Sequence, residues 1–423
     1  MKILYVSQFF KPERVAAAFR AYDNAKIWCE NGDDVTIFTG YPNFPTGKLF
    51  EGYNIKILDE EKIDGIRVLR SKIAIKENTN KINRIINAIS FLLFGIYNIL
   101  FNHKVIGKNY DIVLGTSGTI LAPIIAYIFS IINNIPFILE IRDITYIQML
   151  AVYNGKETIL YKLVKWLEIF LCKKAKKIVV VTNGFKEELV DAGVDLDKIE
   201  VIHNGINTKE INISKNSNSK EIIFSYMGNI GASQNLKNII DIFNSISIES
   251  NLKKLIIIGD GAKKEEIKNY IRKGKFKNIL VKDGMDINEL EKYYDISDLC
   301  IVSLNNNKFF ENTVPSKIFQ IMGRGKSIIF FGPKGEASDI ISNVDYRFIF
   351  TDVNRESIIE KINRNIYEID DIKEYLRKKG ECFRVLAEEK YDRIYLALKY
   401  REILKDISTI YKGEKNESSF SNR

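Results

Sequence analysis

The sequence predicts an α/β protein made of two tandem Rossmann-like domains that face each other across a cleft. Three observations carry this. Short apolar runs alternate with helical stretches from residue 3 to residue 182, the rhythm of a parallel, doubly wound sheet buried on both faces. A polar, apolar-poor stretch, Thr208–Lys220, then interrupts the pattern, and from residue 222 the rhythm restarts. A chain of 423 residues has room for two or three domains at ~100–200 residues each.

Taken in order, Ile3–Ser7 is a strand, Ala16–Glu30 a helix that Gly32 ends, and Val35–Thr39 the next strand. Ile66–Ser71, Ile112–Thr116, Phe137–Ile141 and Ile178–Thr182 follow as strands separated by helices. Ile112–Leu139 carries no charge and is long enough to cross a bilayer. Pro123, Asn133, Asn134 and Pro136 divide it into strand, helix and strand instead. Ile85–Asn102 is also uncharged, but Asn87, Ser90, Asn98 and Asn102 favour a core or interfacial helix over a span. In Thr158–Lys177 an apolar stripe at helical spacing is crowded by six lysines. Such a helix either packs on a core with a solvated lysine face or lies on anionic lipid.

In the second half, strands are expected at Ile222–Met227, Leu255–Gly259, Ile279–Lys282, Leu299–Ser303 and Ser327–Phe331, with Pro315–Met322 helical. The resulting division is a first domain at 1–206, a linker at 207–220 and a second domain at 221–375. Helices at 376–411 are expected to cross back to the first domain, with a disordered tail at 412–423.

Composition narrows the function. Sixty-three basic against 54 acidic residues give a net charge of +9, which suits anionic partners such as nucleotides or an anionic membrane surface. No aromatic-basic stripe supports nucleic-acid binding. Two histidines exclude a His-rich metal site, and the four cysteines lack CxxC spacing. They read as reduced core residues of a cytoplasmic protein.

The candidate chemistry lies at the expected C-terminal ends of the strands, where ligands of open α/β sheets bind. In Asn312–Gly335, Pro315 fits a first helical position, and the amides of Ser316 and Lys317 would meet an anion there beside the Lys317 charge. Thr313 and Val314 lead into that turn. Gly228-Asn229-Ile230-Gly231 ends another strand, with Ser233 available to cap the next helix and Gln234 one residue on. Gly259-Asp260-Gly261 ends a third. In the first half, Glu140-Ile141-Arg142-Asp143 ends a strand, and Glu13 and Arg20 flank the loop and helix after the first strand. Asp195-Leu196-Asp197 is a DxD that could hold a metal, but it lies away from these strand ends. Neither a P-loop nor GxGxxG after a first strand is present.

KILYVSQFFKPE, the Gly32–Gly47 stretch, EIRD, VIHNGIN, YMGNIGASQNL, IIGDG, VPSKIFQIMGRGKSI and GEASDII occur in order over nearly the whole chain. On these the chain resembles family-4 glycosyltransferases of the two-domain GT-B fold, closest to the bacterial surface-polysaccharide group that includes N-acetyl-L-fucosamine transferases. The resemblance implies retaining transfer from a nucleotide-diphospho-sugar, usually without a metal and with no further cofactor. It implies a diphosphate site at Gly228, Gly231, Ser316 and Lys317, and a nucleotide pocket around Gly259 and Gly261. Glu13, Arg20, Arg142 and Asp143 would face a lipid-linked or oligosaccharide acceptor, with Lys317 and Asp143 as the catalytic pair. One departure stands out: the family's two glutamates, with seven residues between them, are Asn312 and Gln320 here, and Gln320 can bond a ribose only as a neutral group. Gln234 stands where many relatives carry a basic residue. A nucleotide-sugar-binding regulator and a nucleotide-sugar 2-epimerase are the competing readings.

Overall fold

A computed structural model describes every residue except 78–80, 118–119, 154, 216–218, 353 and 422–423. The chain forms two compact units: Met1–His203 with Ile394–Arg423, and Asn204–Arg393.

The first unit holds an eight-stranded sheet of β1 (Lys2–Val6), β2 (Asp34–Gly40), β3 (Leu58–Ile63), β4 (Ile66–Ser71), β5 (Ile112–Thr116), β6 (Phe137–Ile141), β7 (Lys177–Val180) and β8 (Ile199–Val201). Their order is β3-β4-β2-β1-β5-β6-β7-β8. β1 lies between β2 and β5, with Ile3 opposite both Val35 and Ile112. All neighbours are parallel except β3, which pairs antiparallel with β4. The sequence reading has no β3: LDEEKI carries four charges, and it forms at the sheet edge because Asp64 and Gly65 turn the chain at positive φ.

Side-chain alternation sorts the β1 residues between two cores. Leu4 and Val6 join one cluster with Phe91, Ile125, Phe129 and Leu171, so helices Lys81–Phe101, Leu121–Asn133 and Ile159–Lys174 cover that face. Ile3 and Tyr5 join the other, with Trp28, Leu396 and Tyr400. Helix Arg393–Ser421 therefore belongs to this unit: Trp28 Nε1 donates to the Ala397 carbonyl at 2.8 Å and Arg401 pairs with Asp33 at 2.5 Å.

The second unit holds six parallel strands: β9 (Ile222–Met227), β10 (Lys253–Ile258), β11 (Ile279–Lys282), β12 (Leu299–Ser303), β13 (Ser327–Phe331) and β14 (Ile349–Phe350). Their order is β11-β10-β9-β12-β13-β14. Phe224 and Leu255 point to one core, Ile223 and Ile256 to the other.

Four sequence expectations differ from this. The stretch expected as a linker is packed where it is described: Thr208 is buried, its hydroxyl donating to Asp392 at 2.6 Å, and the Ser214 amide reaches the Arg324 carbonyl at 3.0 Å. Thr208 and the Ser214 backbone thus find internal partners, while Lys209, Glu210, Asn212 and Lys215 stay exposed, and positions 216–218 lie outside the described residues. Helix Ile372–Lys390 stays with the second unit, burying Phe383 and Ala387, so the return to the first unit begins only at Ile394. Residues 412–421, expected to be disordered, continue the last helix, where Lys412 pairs with Asp111 at 2.6 Å; the end of that tail, 422–423, lies outside the described residues. Cys382 is exposed rather than core, whereas Cys172 and Cys300 are buried.

Candidate active site

In the second unit, the ends of β9 and β10 are stitched together. The Gly228 amide donates to the Ile258 carbonyl at 2.9 Å, and the Ile230 amide to the Asp260 carbonyl at 2.8 Å. Three glycines make this approach possible. Gly228, Gly259 and Gly261 have φ of +145°, +156° and +152°, and a Cβ at Gly259 would collide with the Gly228 carbonyl oxygen. The Asn229 amide group fills the space beside Gly231 and Gly261, and the Gly231 amide donates to Gln234 Oε1 at 3.1 Å. Gln234 thus braces the loop. The Ser233 side chain makes no cap on helix Leu236–Ser245, because a short 3-10 turn at Ala232–Gln234 intervenes and Asn235 stands at its N-cap; the Ser233 carbonyl instead accepts the Asn305 amide.

Lys317 reaches into this loop pair. A Cβ on Gly228 would stand 2.8 Å from Lys317 Nζ, and that nitrogen lies 4.0 Å above the Tyr226 ring. The Tyr226 hydroxyl donates to the Asn229 carbonyl at 2.5 Å, which holds the ring under the ammonium. Burial brings the Lys317 pKa down from 10.5 to about 8. No carboxylate pairs with it among the described residues. A desolvated cation beside the Gly228 backbone and an aromatic face, without a carboxylate, is a candidate anion site. Tyr226 is the part of this arrangement that sequence reasoning does not single out as a site residue; its signal is an aromatic two residues before the glycine.

The helix start differs from expectation. Helix Lys317–Gly323 has seven residues and begins at Lys317, with Ser316 at the N-cap in helical φ/ψ and Pro315 outside. The Ile318 amide folds back to the Pro315 carbonyl at 3.0 Å, so a tight turn replaces a proline-led helical turn. So short a helix carries little dipole, and the ammonium is the main positive charge. Val314 buries its side chain in the core, leaving only backbone to offer, and the Thr313 amide is spent on the Phe310 carbonyl. Gln320 Oε1 accepts from Arg324 Nη1 at 3.0 Å, and Arg324, fully buried, is itself paired to Glu291. The Gln320 carbonyl oxygen is thereby fixed and its NH2 is left as the outward donor.

In the first unit, Glu13 and Arg20 work internally. Glu13 is buried and accepts the Asn43 and Phe44 amides at 3.0 and 2.9 Å, tying the loop after β1 to the loop after β2. Burial raises its pKa, those bonds partly offsetting the rise. Arg20 Nε donates to Glu140 Oε1 at 2.7 Å, and its other nitrogens reach the carbonyls of Ile202 and His203. The polar atoms of both thus have buried partners within the unit, Arg20 on Glu140 at the end of β6 and Glu13 on the two loop amides. Arg142 donates to the Ala17 carbonyl at 3.4 Å, and burial lowers its pKa. Asp143 is exposed, yet desolvation by surrounding protein raises its pKa, Arg142 offsetting part of this. Asp195 of the DxD caps its own turn by accepting the Asp197 amide at 3.0 Å.

Glu168 is a group the sequence does not reveal as special. Its buried carboxylate accepts from the Thr145 amide and hydroxyl at 3.2 and 3.0 Å and from the Tyr146 amide at 3.3 Å, fixing the helix that follows Asp143. Burial raises its pKa from 4.5 to about 7, those bonds working against the shift. A raised carboxyl pKa means that the folded state holds a proton longer than the unfolded chain. The stability it contributes is full below pH 4.5 and is lost as pH rises through about 7. Glu168→Gln is expected to remove on the order of 2–4 kcal/mol of that pH dependence, read as a flatter profile of melting temperature against pH than the unsubstituted protein gives.

Comparison with known proteins follows this geometry. Residues 20–210 match Glycosyltransferase Family 4, and residues 207–381 match Glycosyl transferases group 1. A 92-residue stretch is 26% identical to the lipopolysaccharide 1,6-galactosyltransferase of Salmonella typhimurium, covering 22% of this chain and a quarter (25%) of that enzyme's length. Sucrose-phosphate synthase from Thermosynechococcus elongatus superposes with a TM-score of 0.74 over 97% of this chain and 99% of its own, at 13% identity. Anabaena HepE in complex with UDP-glucose does so at 0.65, over 96% of this chain and 100% of its own, at 14% identity. These likenesses establish the GT-B fold, and with both family matches running in tandem from residue 20 to residue 381, the chain belongs to the glycosyltransferases.

Proposed function

We propose that this glycosyltransferase moves a sugar, with retention, from a nucleotide-diphospho-sugar to a lipid-linked or oligosaccharide acceptor in bacterial surface-polysaccharide synthesis of the O-antigen or capsule type. The observation that carries the donor half is Lys317: an unpaired, desolvated ammonium against the Gly228 backbone. As the bond from the anomeric carbon to the phosphate oxygen breaks, negative charge grows on the diphosphate. A preplaced cation stabilises that charge more than it stabilises the bound donor. The UDP-glucose bound by Anabaena HepE supports a nucleotide-sugar as the donor class. In a retaining front-face reaction the leaving phosphate can itself take the acceptor proton, with Asp143 orienting the acceptor hydroxyl. In this reading Lys317 takes up part of that charge where a divalent ion would otherwise serve.

The sequence resemblance favours an N-acetylamino-sugar of the N-acetyl-L-fucosamine type, and the Salmonella relative offers galactose as the alternative. A thermal-shift panel of nucleoside diphosphates and nucleotide-sugars tests the reading. At a ligand concentration ~100 times Kd the native state gains about 2.7 kcal/mol, so the right donor raises the melting temperature by several degrees. A flat response to every nucleoside diphosphate, with no transfer from any nucleotide-sugar, overturns the proposal.

A further inference from the structure

We infer that helix Lys81–Phe101 of the first unit is a lipid-docking element, which lies on an anionic bilayer surface without crossing it. The helix is long and apolar enough to span a membrane, and two observations show why it lies flat instead. Its inner side is fastened to the unit's own sheet and loops. Asn98 Nδ2 donates to Ser71 Oγ at 3.0 Å and to the Ile57 carbonyl at 3.1 Å, and Asn87 Oδ1 accepts from Gln8 Nε2 at 3.0 Å. Gly95 lets the helix press on Leu121–Asn133, since a Cβ there would fall 2.5 Å from Ile125 Cδ1. Pulling this helix into a bilayer would break those bonds and strip Phe91 from the core.

Its outer side is apolar and uncovered. Ile82, Ile85, Ile89, Leu93, Tyr97 and Leu100 recur at three- and four-residue spacing, and all are exposed, Leu93 by 61%. An ordinary surface helix turns polar residues outward. The same face of the sheet carries Ile159–Lys174, where Leu163 and Trp166 are exposed, Trp166 by 62% and stacked on Phe170.

Charge selects the occupant. From Lys81 to Asn109 the sequence has no Asp or Glu, while Arg84, Lys104 and Lys108 are exposed. Leu121–Asn133 carries no charge at all. On Ile159–Lys174 the one acid is the buried Glu168, and Lys162, Lys173 and Lys174 are exposed without an ion-pair partner among the described residues. Apolar side chains framed by unpaired cations and an interfacial Trp match an anionic lipid surface. A second copy of this face would bring like charges together. This inference does not depend on the donor site, but it would bring the first unit to where a lipid-linked acceptor resides.

The test uses the full chain with extruded phosphatidylcholine vesicles, with and without about 30% phosphatidylglycerol. Flotation with the anionic vesicles at low salt, weakening as salt rises, is expected. Ile89→Glu with Leu93→Glu should cut the bound fraction about tenfold or more, as should Lys173→Glu with Lys174→Glu. Melting temperature and nucleotide-sugar binding in solution should stay unchanged, which separates failure here from failure of the donor reading. Fluorescence tests the unsubstituted protein directly. The chain has two tryptophans and Trp28 is fully buried, so a blue shift on adding anionic vesicles reports Trp166. Protein that stays at the bottom with no blue shift overturns the inference. So does vesicle binding unaffected by both pairs, or self-association that the Leu93 variant abolishes in protein that never binds vesicles.

Discussion

Lys317→Ala is expected to lower turnover by ~10²-fold or more while the melting temperature stays within a few degrees of the parent. The asymmetry follows from where the ammonium sits. In the unliganded protein it is desolvated, with a pKa brought down by burial to about 8, and its neighbours are an aromatic face and the Gly228 backbone. Folding therefore gains little from the charge, whereas a departing diphosphate gains a partner in a place where water screens poorly. Near-normal turnover in a folded Lys317→Ala protein would remove this residue from the chemistry. The same pKa gives a pH signature. Only the protonated amine attracts the anion, so donor affinity in the free protein should weaken as pH rises through about 8, and the Ala variant should lack that dependence. A donor affinity flat from neutral pH to well above that point would mean that the ammonium is not what the diphosphate meets.

Much of this site is legible in the sequence, for a definite reason. Gly228, Gly259 and Gly261 follow apolar strand runs, and Lys317 follows a Pro-Ser turn; strand-then-glycine and turn-then-lysine are local patterns. The contacts that decide each residue's job are not local. Glu140 lies 120 residues from Arg20 in sequence, and the pair meets only because β6 enters the sheet two strands from β1. Arg20 reads as a free cation until that strand order is known. Gln320 illustrates the same limit: its residue type shows a neutral group, but only the Arg324–Glu291 pair fixes which end of the amide faces outward. The hairpin strand β3 escapes notice because its charges suit a sheet edge, and edges lack the apolar signal that buried strands carry. The tail escapes for the opposite reason. Its polar composition looks unstructured, but it extends a helix already anchored by Leu396, Tyr400 and Leu404, and propagation costs less than nucleation.

Glu140→Ala should destabilise the first unit by about 3–5 kcal/mol. Burial alone would raise the Glu140 pKa, but Arg20 first and Arg142 next hold it below the ordinary carboxylate value. The carboxylate also accepts the Tyr5 hydroxyl at 2.8 Å. Truncation leaves Arg20 as a buried cation without its carboxylate, and leaves Tyr5 without its acceptor. Adding Arg20→Met should recover a large part of the loss, because an apolar side chain of similar length needs no counter-charge. Recovery stays incomplete, since the Ile202 and His203 carbonyls then lose their Arg20 donor. A double-mutant cycle on the first unit's unfolding transition reads this as a coupling energy well above ~1 kcal/mol, and additivity of the two changes would refute the charge-pair account. Turnover should follow stability only in part. Glu140 stands three residues before Asp143 on the end of β6, so a loosened strand end displaces Asp143, the carboxylate proposed to orient the acceptor, even in molecules that remain folded. The double variant, with its strand end repacked but Arg142 deprived of the Glu140 charge, should regain stability more fully than activity.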